Sequence, residues 1–259
     1  MLDPFERGKV WFIYNKLEKE FIETTSYVAL EVAHKEVWSE KYGELLIKIG
    51  GAVGSFFDLM INSKSLNNEQ KVKELRAKIQ AKRQKSMAKQ KKSKKKSEWN
   101  PTMADYRRAF GQVFQLSAVE VEASYGLTYY GRLKPFEGFR TRPPVWWDSY
   151  NKVKHQFFEQ IEQKATLQNA LGALASLFVL NILHKESQEY LVKYQNVIVC
   201  DYMRSMSKVN ILNFFEASKI GVPKPVSGYN FKAVTPLFAH VFRIDEKAGV
   251  VSKYIVAPD

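Results

Sequence analysis

The spacing of hydrophobic residues predicts a pair of amphipathic helices at the start of the chain. Across residues 5–34, apolar side chains recur at helical intervals with charged residues between them. A second helix is predicted over residues 37–61. Gly50, Gly51 and Gly54 lie beside its apolar stripe, and each costs about 1 kcal/mol of helix stability. We expect a neighbouring helix to approach closely at these glycines, and the two long helices to form an antiparallel pair.

A lysine-rich insert follows at residues 67–98. Its first half contains good helix formers and a thin apolar stripe of Val72, Leu75 and Ile79, which predicts a helix. Its second half, KSMAKQKKSKKKSE, has almost nothing to bury and is expected to be mobile. Two interpretations stay open: a solvated linker between helical hairpins, or an arm that binds the phosphates of RNA or DNA. Lysines without interleaved aromatic residues supply affinity but little sequence discrimination.

Helical patterns resume after the insert. Residues 105–124 are predicted to form a helix, and an aromatic loop rich in glycine and proline covers residues 126–144. The next helix begins at Pro144, because proline is tolerated in a first turn. The following apolar segment, ATLQNALGALASLFVLNIL, is apolar around most of its circumference and therefore belongs near the middle of a bundle. A less regular helical pattern covers residues 187–216.

The end of the chain changes to a strand pattern. LFAHVFRI and VVSKYIV flank DEKAG, which predicts a β-hairpin with a five-residue connection. An isolated hairpin is marginal in water, so it must pack on the helices or pair with another edge. The chain is therefore predicted to be mainly α, an up-down helical bundle with a small C-terminal hairpin. Its predicted parts are the first helical hairpin (1–66), the insert or mobile linker (67–98), the remaining bundle helices (99–216, with helices at 144–162 and 165–184) and a C-terminal extension (217–259).

Most of the positive charge lies in the insert. The chain of 259 residues has a formal net charge of +13. Between Lys71 and Lys96 there are 13 lysines or arginines and one acid, Glu74, whereas the rest of the chain has 27 basic and 26 acidic residues. Because the remainder is nearly neutral, we expect any charge-driven affinity for nucleic acid to reside in this segment.

Several classes of protein do not fit this sequence. The single cysteine, Cys200, rules out an internal disulfide framework and a multi-cysteine zinc site. No signal peptide is recognisable, and the longest apolar run, residues 170–180, is shorter than the roughly 20 residues that a bilayer requires. We see no metal-ligand spacing and no glycine-rich phosphate loop. We therefore expect a cytoplasmic protein without a membrane partner, metal or other cofactor.

The stretch PPVWWDSYNKVKH contains the candidate chemistry. Trp146 and Val153 are expected to point into the core. The other side of the helix combines aromatic rings, an amide, an ammonium and an imidazole, which can bind phosphate, stack on a base and move protons near neutral pH. These residues are Trp147, Tyr150, Asn151, Lys154 and His155. In the alternative interpretation, the aromatic residues belong to the core and His155 is structural.

In pattern and order, the chain resembles the HEPN family of helical-bundle proteins, which is common in prokaryotic defence and toxin systems. The likeness comprises an early pair of long helices, the second reading ELLIKIGGAVGSFF, and then a helix with a polar motif ending in histidine, followed directly by the apolar helix. It covers residues 10–184, less well over 64–126. The family signature is Arg, four to six residues, then His, often with Asn after the Arg.

The signature is incomplete in this chain. In YNKVKH, Asn151 and His155 match the Asn and His, but Tyr150 occupies the arginine position. None of the four histidines has an arginine five to seven residues before it. The arginine is expected to bind the scissile phosphate or its developing charge. Lys154, Lys152, Arg140 or Arg142 could substitute, and RNA or nucleotide binding without cleavage is the other possibility.

The resemblance implies a homodimer in which two motif helices meet, and a metal-independent endoribonuclease in a host-defence, toxin–antitoxin or phage-related setting. The ribose 2′-hydroxyl would be the nucleophile, His155 would move the proton, and Asn151 would orient the phosphate or the imidazole. Tyr150 and Lys154 would complete the catalytic face. Nucleic acid would be bound by Lys152, Arg140, Arg142, Lys89, Lys91, Lys92, Lys94, Lys95 and Lys96. The alternative function is a non-catalytic interaction or dimerisation protein with a basic tether.

Overall fold

The computed structural model describes residues 8–90, 100–195, 197–200, 230–245 and 249–251. This part of the chain is mainly helical, which confirms the predicted class, and it adds a small antiparallel sheet. None of the described helices is long and apolar enough to cross a bilayer. The helices are α1 (Lys9–Thr24), α2 (Glu40–Ile61), α3 (Gln70–Gln90), α4 (Met103–Phe110), α5 (Val145–His155), α6 (Phe157–Lys164), α7 (Leu167–Leu183) and α8 (Lys185–Tyr190).

Helix α1 ends ten residues earlier than the predicted His34. The hydroxyls of Thr24 and Thr25 donate to the carbonyls of Phe21 and Ile22 at 2.6 and 2.7 Å. Hydroxyl groups that bond the preceding turn in this way compete with continuation of a helix. Helix α2 begins after Ser39, whose side chain accepts a hydrogen bond from a backbone N–H in the first turn, as an N-cap residue does.

Helix α7 lies at the centre of the bundle, as its apolar sequence predicts. It contacts α1, α2, α5 and α8. Leu171, Leu174, Leu177 and Phe178 are all buried. A helix that is apolar on all sides requires such neighbours, because no face of it is stable in water.

The predicted helix over residues 144–162 is broken at Gln156, whose backbone leaves the helical region with φ −139° and ψ 53°. The break lets α6 approach α2 at Gly43. A β-carbon on Gly43 would lie 3.4 Å from the Phe157 ring and 3.5 Å from Ile161. His155 is therefore the last residue of α5 rather than a mid-helix residue.

The first half of the insert is folded. Helix α3 buries the predicted stripe of Val72, Leu75 and Ile79 and packs on α4 and α2. Its backbone stays helical to Gln90, which is further than predicted, because the residues after Ile79 include good helix formers such as alanine, lysine and glutamine. The remainder of the insert, residues 91–98, lies outside the described residues.

The prediction of a helix over residues 105–124 is wrong at its C-terminal end. Helix α4 stops at Phe110, and strands β1 (Val121–Tyr125) and β2 (Thr128–Leu133) form a hairpin. Gly126, with φ +60°, occupies the first position of the two-residue turn. Glycine followed by another residue suits a type II′ turn, so SYGLTYY contained a hairpin signal.

Strands β3 (Ile198–Cys200), β4 (Asn230–Val234), β5 (Phe238–Asp245) and β6 (Gly249–Val251) complete an antiparallel sheet of order β2-β1-β5-β4-β3, with β6 also paired to β5. The predicted C-terminal hairpin is confirmed by the β5–β6 pairing, although its connection shortens to residues 246–248. The helical prediction for residues 187–216 is confirmed up to Gln195, through α8 and the π-helical turn Leu191–Gln195, and is wrong at β3, where a β-branched run pairs with β4. Residues 201–216 lie outside the described part.

A buried carboxylate joins the sheet to the bundle. Glu18 of α1 accepts hydrogen bonds from the Tyr14 hydroxyl at 2.7 Å and the Leu237 N–H at 3.2 Å, and Thr235 also donates to it. Burial raises the pKa of Glu18. Beside it the rings of Phe178 and Phe238 stack at 5.5 Å. The sheet is thus held on the helices by both polar and apolar contacts.

Candidate functional site

Helix α5 places the motif residues between the bundle core and the surface. Trp146 and Val153 are buried, as predicted, and the Trp146 indole donates to the carbonyl of Pro135 at 2.8 Å. Helix α5 contacts α2 and α7 through this inner side. These contacts fix the rotation of the helix about its axis, and so fix which motif residues can reach solvent.

Tyr150 belongs to the helix interface, although it occupies the arginine position of the signature. It is buried, and its ring lies against Gly50 of α2. The Trp147 ring lies 4.9 Å from the Tyr150 ring and 3.6 Å from the position of a β-carbon on Gly54. The predicted close approach at the α2 glycines is therefore confirmed at Gly50 and Gly54. The two aromatic rings follow the core-packing interpretation.

The lysines of the motif are engaged locally. Lys154 donates to the Tyr150 hydroxyl at 3.2 Å, and its ammonium lies 5.4 Å from the centre of the same ring. Lys152 forms an ion pair with Asp148 one turn earlier, at 2.9 Å. Both lysines are exposed. A phosphate at this surface would meet Lys154 already placed beside the tyrosine hydroxyl.

Asn151 and His155 are the accessible polar residues of the motif. Asn151 is half-buried and His155 is exposed. Neither side chain hydrogen-bonds another residue in the described ranges. Because they are four residues apart on α5, they are neighbours on one face. The structure therefore brings Asn151, Lys154 and His155 to one surface, with Tyr150 beneath it.

Arg140 and Arg142 lie far from His155 within one chain. They precede Pro144 at the start of α5, whereas His155 ends the helix. Eleven residues at the α-helical rise correspond to about 16 Å. The described contacts of this loop are with α4 and within the loop itself, through the Arg107 bond to Thr141 and the Arg142 side chain over Gly138. None of them joins it to Asn151 or His155. The two arginines belong to a different surface.

That surface joins α3, α4 and the loop at residues 138–142. Lys78 of α3 donates to Asp105 of α4, which also caps α4 by accepting from the backbone N–H of Thr102 at 2.9 Å. In the last turn of α4, Arg107 donates to the carbonyl of Thr141. Arg107 and Arg108 were missed by the sequence reasoning, although the pair in DYRRAF begins nine residues after the end of the basic insert.

Helix α3 is the most basic described element of this surface. It contains eight lysines or arginines and one acid. Arg76 is used structurally, since its guanidinium bonds the carbonyls of Ile61 and Ser63 and the Asn67 side chain. Lys73, Lys82 and Arg83 are exposed and form no ion pair with a described acid. The side chain of Lys89 is not described, and Lys91, Lys92, Lys94, Lys95 and Lys96 lie outside the described residues.

A buried polar cluster lies between the loop after α2 and the start of α8. Glu186 accepts from the Ser63 hydroxyl at 2.6 Å and from the Ser65 N–H at 2.9 Å, and these bonds lower its pKa to about 2. The His184 Nε2 contacts both Ser63, at 3.0 Å, and Glu186, at 3.3 Å. In a catalytic triad the carboxylate binds the imidazole nitrogen opposite the serine. Here Ser63 and the partly buried Glu186 contact the same nitrogen of His184, so the arrangement is not that of a triad, and the cluster joins the loop after α2 to the start of α8.

Two cavities are also present. One, of about 470 Å³, lies beside β2 and the start of α5 and is lined partly by Tyr130, Lys134 and Trp146. The other, of about 600 Å³, lies where α1 ends and α2 begins. Neither contains Asn151, Lys154 or His155. Within the described ranges, no group of three or more His, Cys, Asp or Glu residues could hold a metal ion.

Comparison with known proteins adds no assignment to this geometry. No family model, no curated protein and no solved structure matches the chain.

Proposed function

We propose that the protein binds RNA, and that helix α3 is its principal binding element. The observation that carries this proposal is the second half of α3. Up to Ile79 the helix is anchored by buried apolar residues, but each of residues 80–84 is exposed. The helix therefore extends past its anchor with Lys82 and Arg83 exposed to solvent.

The positive charge and the length of α3 suit it to binding the backbone of a nucleic acid. The 21 residues of α3 span about 30 Å, which is long enough to follow several successive phosphates. Lysine and arginine bind phosphates without reading the bases, so the affinity should depend on charge and salt rather than sequence. Anchoring through Val72, Leu75 and Ile79 holds these charges on the fold. A free linker would have to be ordered on binding, at an entropic cost.

The test is a set of salt titrations with single-stranded RNA. Replacing Lys73, Lys82 and Arg83 with glutamine removes three exposed charges and no buried contact. We expect the logarithmic salt dependence of the association constant to fall by roughly 2, since each phosphate on a single strand contributes about 0.7. A matched control replaces three exposed lysines of α1, Lys9, Lys16 and Lys19, and should change the slope less. Equal losses in the two variants would contradict a binding role of α3.

A second candidate function is cleavage of the bound RNA at the α5 surface, as the HEPN resemblance implies. The observation that favours it is the exposure of His155 beside Lys154 and Asn151. Imidazole can take the proton of a ribose 2′-hydroxyl, and Lys154 can offset charge on the phosphate. The proposed homodimer would bring two such surfaces together. A host-defence setting and a cytoplasmic location are further expectations of this proposal.

Cleavage is tested with labelled RNA in the presence of a chelator. Activity of the wild type should persist without divalent metal and fall sharply in His155→Ala. His34→Ala is the matched control, because His34 is a partly exposed histidine in the 3₁₀ turn before α2 and lies outside the α5 surface. Activity that is unchanged by His155→Ala would place the chemistry elsewhere. RNA binding without cleavage would favour the inactive binder, and neither binding nor cleavage would favour the interaction protein.

A further inference from the structure

We infer that the arginine cluster of α4 and the 138–142 loop binds a terminal phosphomonoester of RNA; this inference rests on the proposed RNA-binding function. The cluster consists of Arg107, Arg108, Arg140 and Arg142. Two segments about 30 residues apart in sequence supply it, and the Arg107 bond to the Thr141 carbonyl joins them. Since Arg140 and Arg142 flank Thr141, their side chains can reach the same region as Arg107.

Two of the arginines are positioned by the backbone. Arg107 is held by the Thr141 carbonyl, and the Arg142 side chain lies over Gly138. Gly138 has φ +74°, and a β-carbon there would lie 2.8 Å from Arg142 Nε. A side chain at residue 138 would therefore strain the loop and displace the guanidinium. The loop is closed by the N–H groups of Thr141 and Arg142, which both donate to the Gly138 carbonyl at 2.9 Å.

The four guanidinium groups are not neutralised by carboxylates. In the described ranges, none of the four arginines forms an ion pair with an acid, whereas Arg132 on β2 is paired with Glu122 at 3.2 Å. Arginine presents planar pairs of N–H donors that fit phosphate oxygens. An unpaired cluster of arginines on a folded surface is therefore suited to an anion with several oxygens.

The charge density of the cluster favours a phosphomonoester over a phosphodiester. A diester offers two non-bridging oxygens and one negative charge. A monoester offers three acceptor oxygens and a charge of about −1.5 to −2 near pH 7. Only the monoester can accept bidentate bonds from more than one guanidinium while balancing more than one positive charge.

The arginine cluster adjoins the basic surface of α3, and this favours RNA as the molecule that carries the phosphate. Lys78 of α3 binds Asp105, and Arg108 follows Asp105 by three residues on the same side of α4. A strand lying along α3 can therefore reach the arginine cluster without leaving the basic surface. The end of that strand would occupy the cluster.

The test compares single-stranded RNAs of one sequence that differ only in their ends. One pair has a 5′-phosphate or a 5′-hydroxyl and a label at the 3′ end; a second pair has a 3′-phosphate or a 3′-hydroxyl and a label at the 5′ end. We expect the RNA phosphorylated at one of the two ends to bind on the order of tenfold more tightly than its hydroxyl counterpart, because the terminal phosphate accepts additional charge-assisted hydrogen bonds. The pair that shows the gain identifies which end is bound.

The double variant Arg140→Gln/Arg142→Gln should reduce the ratio of the affinities for the phosphorylated and the unphosphorylated RNA to about one. Arg142→Lys, which keeps the charge but loses the planar fork, should reduce it in part. The control is Arg132→Gln, which should keep the full ratio. Arg107 is left intact because it holds the loop, and thermal unfolding checks that each variant is folded.

If the wild type binds the phosphorylated and the unphosphorylated RNA of each pair equally, the inference is overturned, whereas the proposal that α3 binds RNA is unaffected. A ratio that survives in the double variant would also overturn it. If no RNA binds in a salt-dependent manner, the proposed function itself fails.

Discussion

The ring of Tyr150 lies in the space that a side chain at position 50 would occupy: a β-carbon on Gly50 would be 2.4 Å from Tyr150 Cδ2. This contact sets how closely α5 approaches α2. Gly51, one residue further, has no neighbour within 4 Å of such a β-carbon. Two adjacent glycines of one helix therefore have different roles, and substitution separates them.

We expect Gly50→Ala to lower the free energy of unfolding by about 1–3 kcal/mol, because overpacking forces the ring or the helices to move. Gly51→Ala is the matched control and should raise it by up to about 1 kcal/mol, since alanine is the better helix former and nothing obstructs its methyl group. Urea unfolding measures both. A stabilising Gly50→Ala would show that the α2–α5 contact is looser than described.

The sequence predicts the helical part of this fold well, for a physical reason. The apolar stripes of α2 and α3 have helical periodicity, α7 is a continuous apolar segment, and the residues that define these patterns, such as Val72 and Leu174, are buried. The close approach at Gly50 and Gly54 could also be predicted. Each glycine lowers the stability of the helix, and a closely packed neighbouring helix compensates for that loss.

The sheet was predicted poorly because strand pairing is not local. The hairpin around Gly126 lies between a helix and an aromatic loop, and its β1 strand pairs with β5 more than 100 residues later. Single-sequence periodicity contains no information about such a partner. The sequence named Arg140 and Arg142 but did not join them to Arg107 for the same reason, since Arg107 and Thr141 are brought together only by the fold.

The next prediction concerns His240 in the centre of the sheet. Burial lowers the pKa of His240 from 6.5 to about 4, and its Nδ1 lies 2.7 Å from the Glu120 carbonyl. The folded protein keeps this imidazole neutral, whereas the unfolded chain takes up a proton near pH 6.5. Stability should therefore be complete above about pH 6.5 and decrease as the pH falls towards 4, by a total of about 3 kcal/mol.

Urea unfolding at a series of pH values measures this loss. His240→Gln should flatten the curve between pH 6.5 and 4, and His34→Gln, at a partly exposed histidine in the 3₁₀ turn before α2, is the matched control. A pH dependence that is the same in the wild type and His240→Gln would mean that His240 is not buried in neutral form.

The next prediction is that Glu186 affects stability at a lower pH than His240 does. Its hydrogen bonds with Ser63 and Ser65 lower the carboxyl pKa from 4.5 to about 2. The ionised form stabilises the fold above about pH 4.5, and that contribution, about 1–2 kcal/mol after allowance for solvent screening of this half-buried group, is lost as the pH falls towards 2. Glu186→Gln should be less stable at neutral pH and should lose less stability than the wild type below pH 4.5, where Asp105 and Glu20, whose pKa values are also lowered, still titrate. A wild-type curve that is flat below pH 4.5 would contradict this account.

The last prediction concerns the arginine that the HEPN-like signature lacks. In Tyr150→Arg the aliphatic part of arginine can lie over Gly50, but the ring contacts with Gly50 and Trp147 are lost. The new guanidinium would also lie near Lys154, whose ammonium is 3.2 Å from the tyrosine hydroxyl. Loss of packing and like-charge repulsion should together lower stability by about 1–3 kcal/mol. Combining Tyr150→Arg with Lys154→Ser should recover part of this loss, which chemical denaturation would measure.

The same variants test catalysis. If the missing arginine is what limits cleavage, the folded single variant Tyr150→Arg, which keeps Lys154, should cut labelled RNA in chelator faster than the wild type, and adding His155→Ala should abolish the gain. Tyr150→Phe is the control, because it removes the hydroxyl that Lys154 binds and supplies no charge. Size-exclusion chromatography establishes whether each variant forms the proposed homodimer. A folded, dimeric arginine variant that cleaves nothing would show that the arginine is not the missing element. The α5 surface would then be better explained as a packing and dimerisation surface, and RNA binding would be the function left to α3.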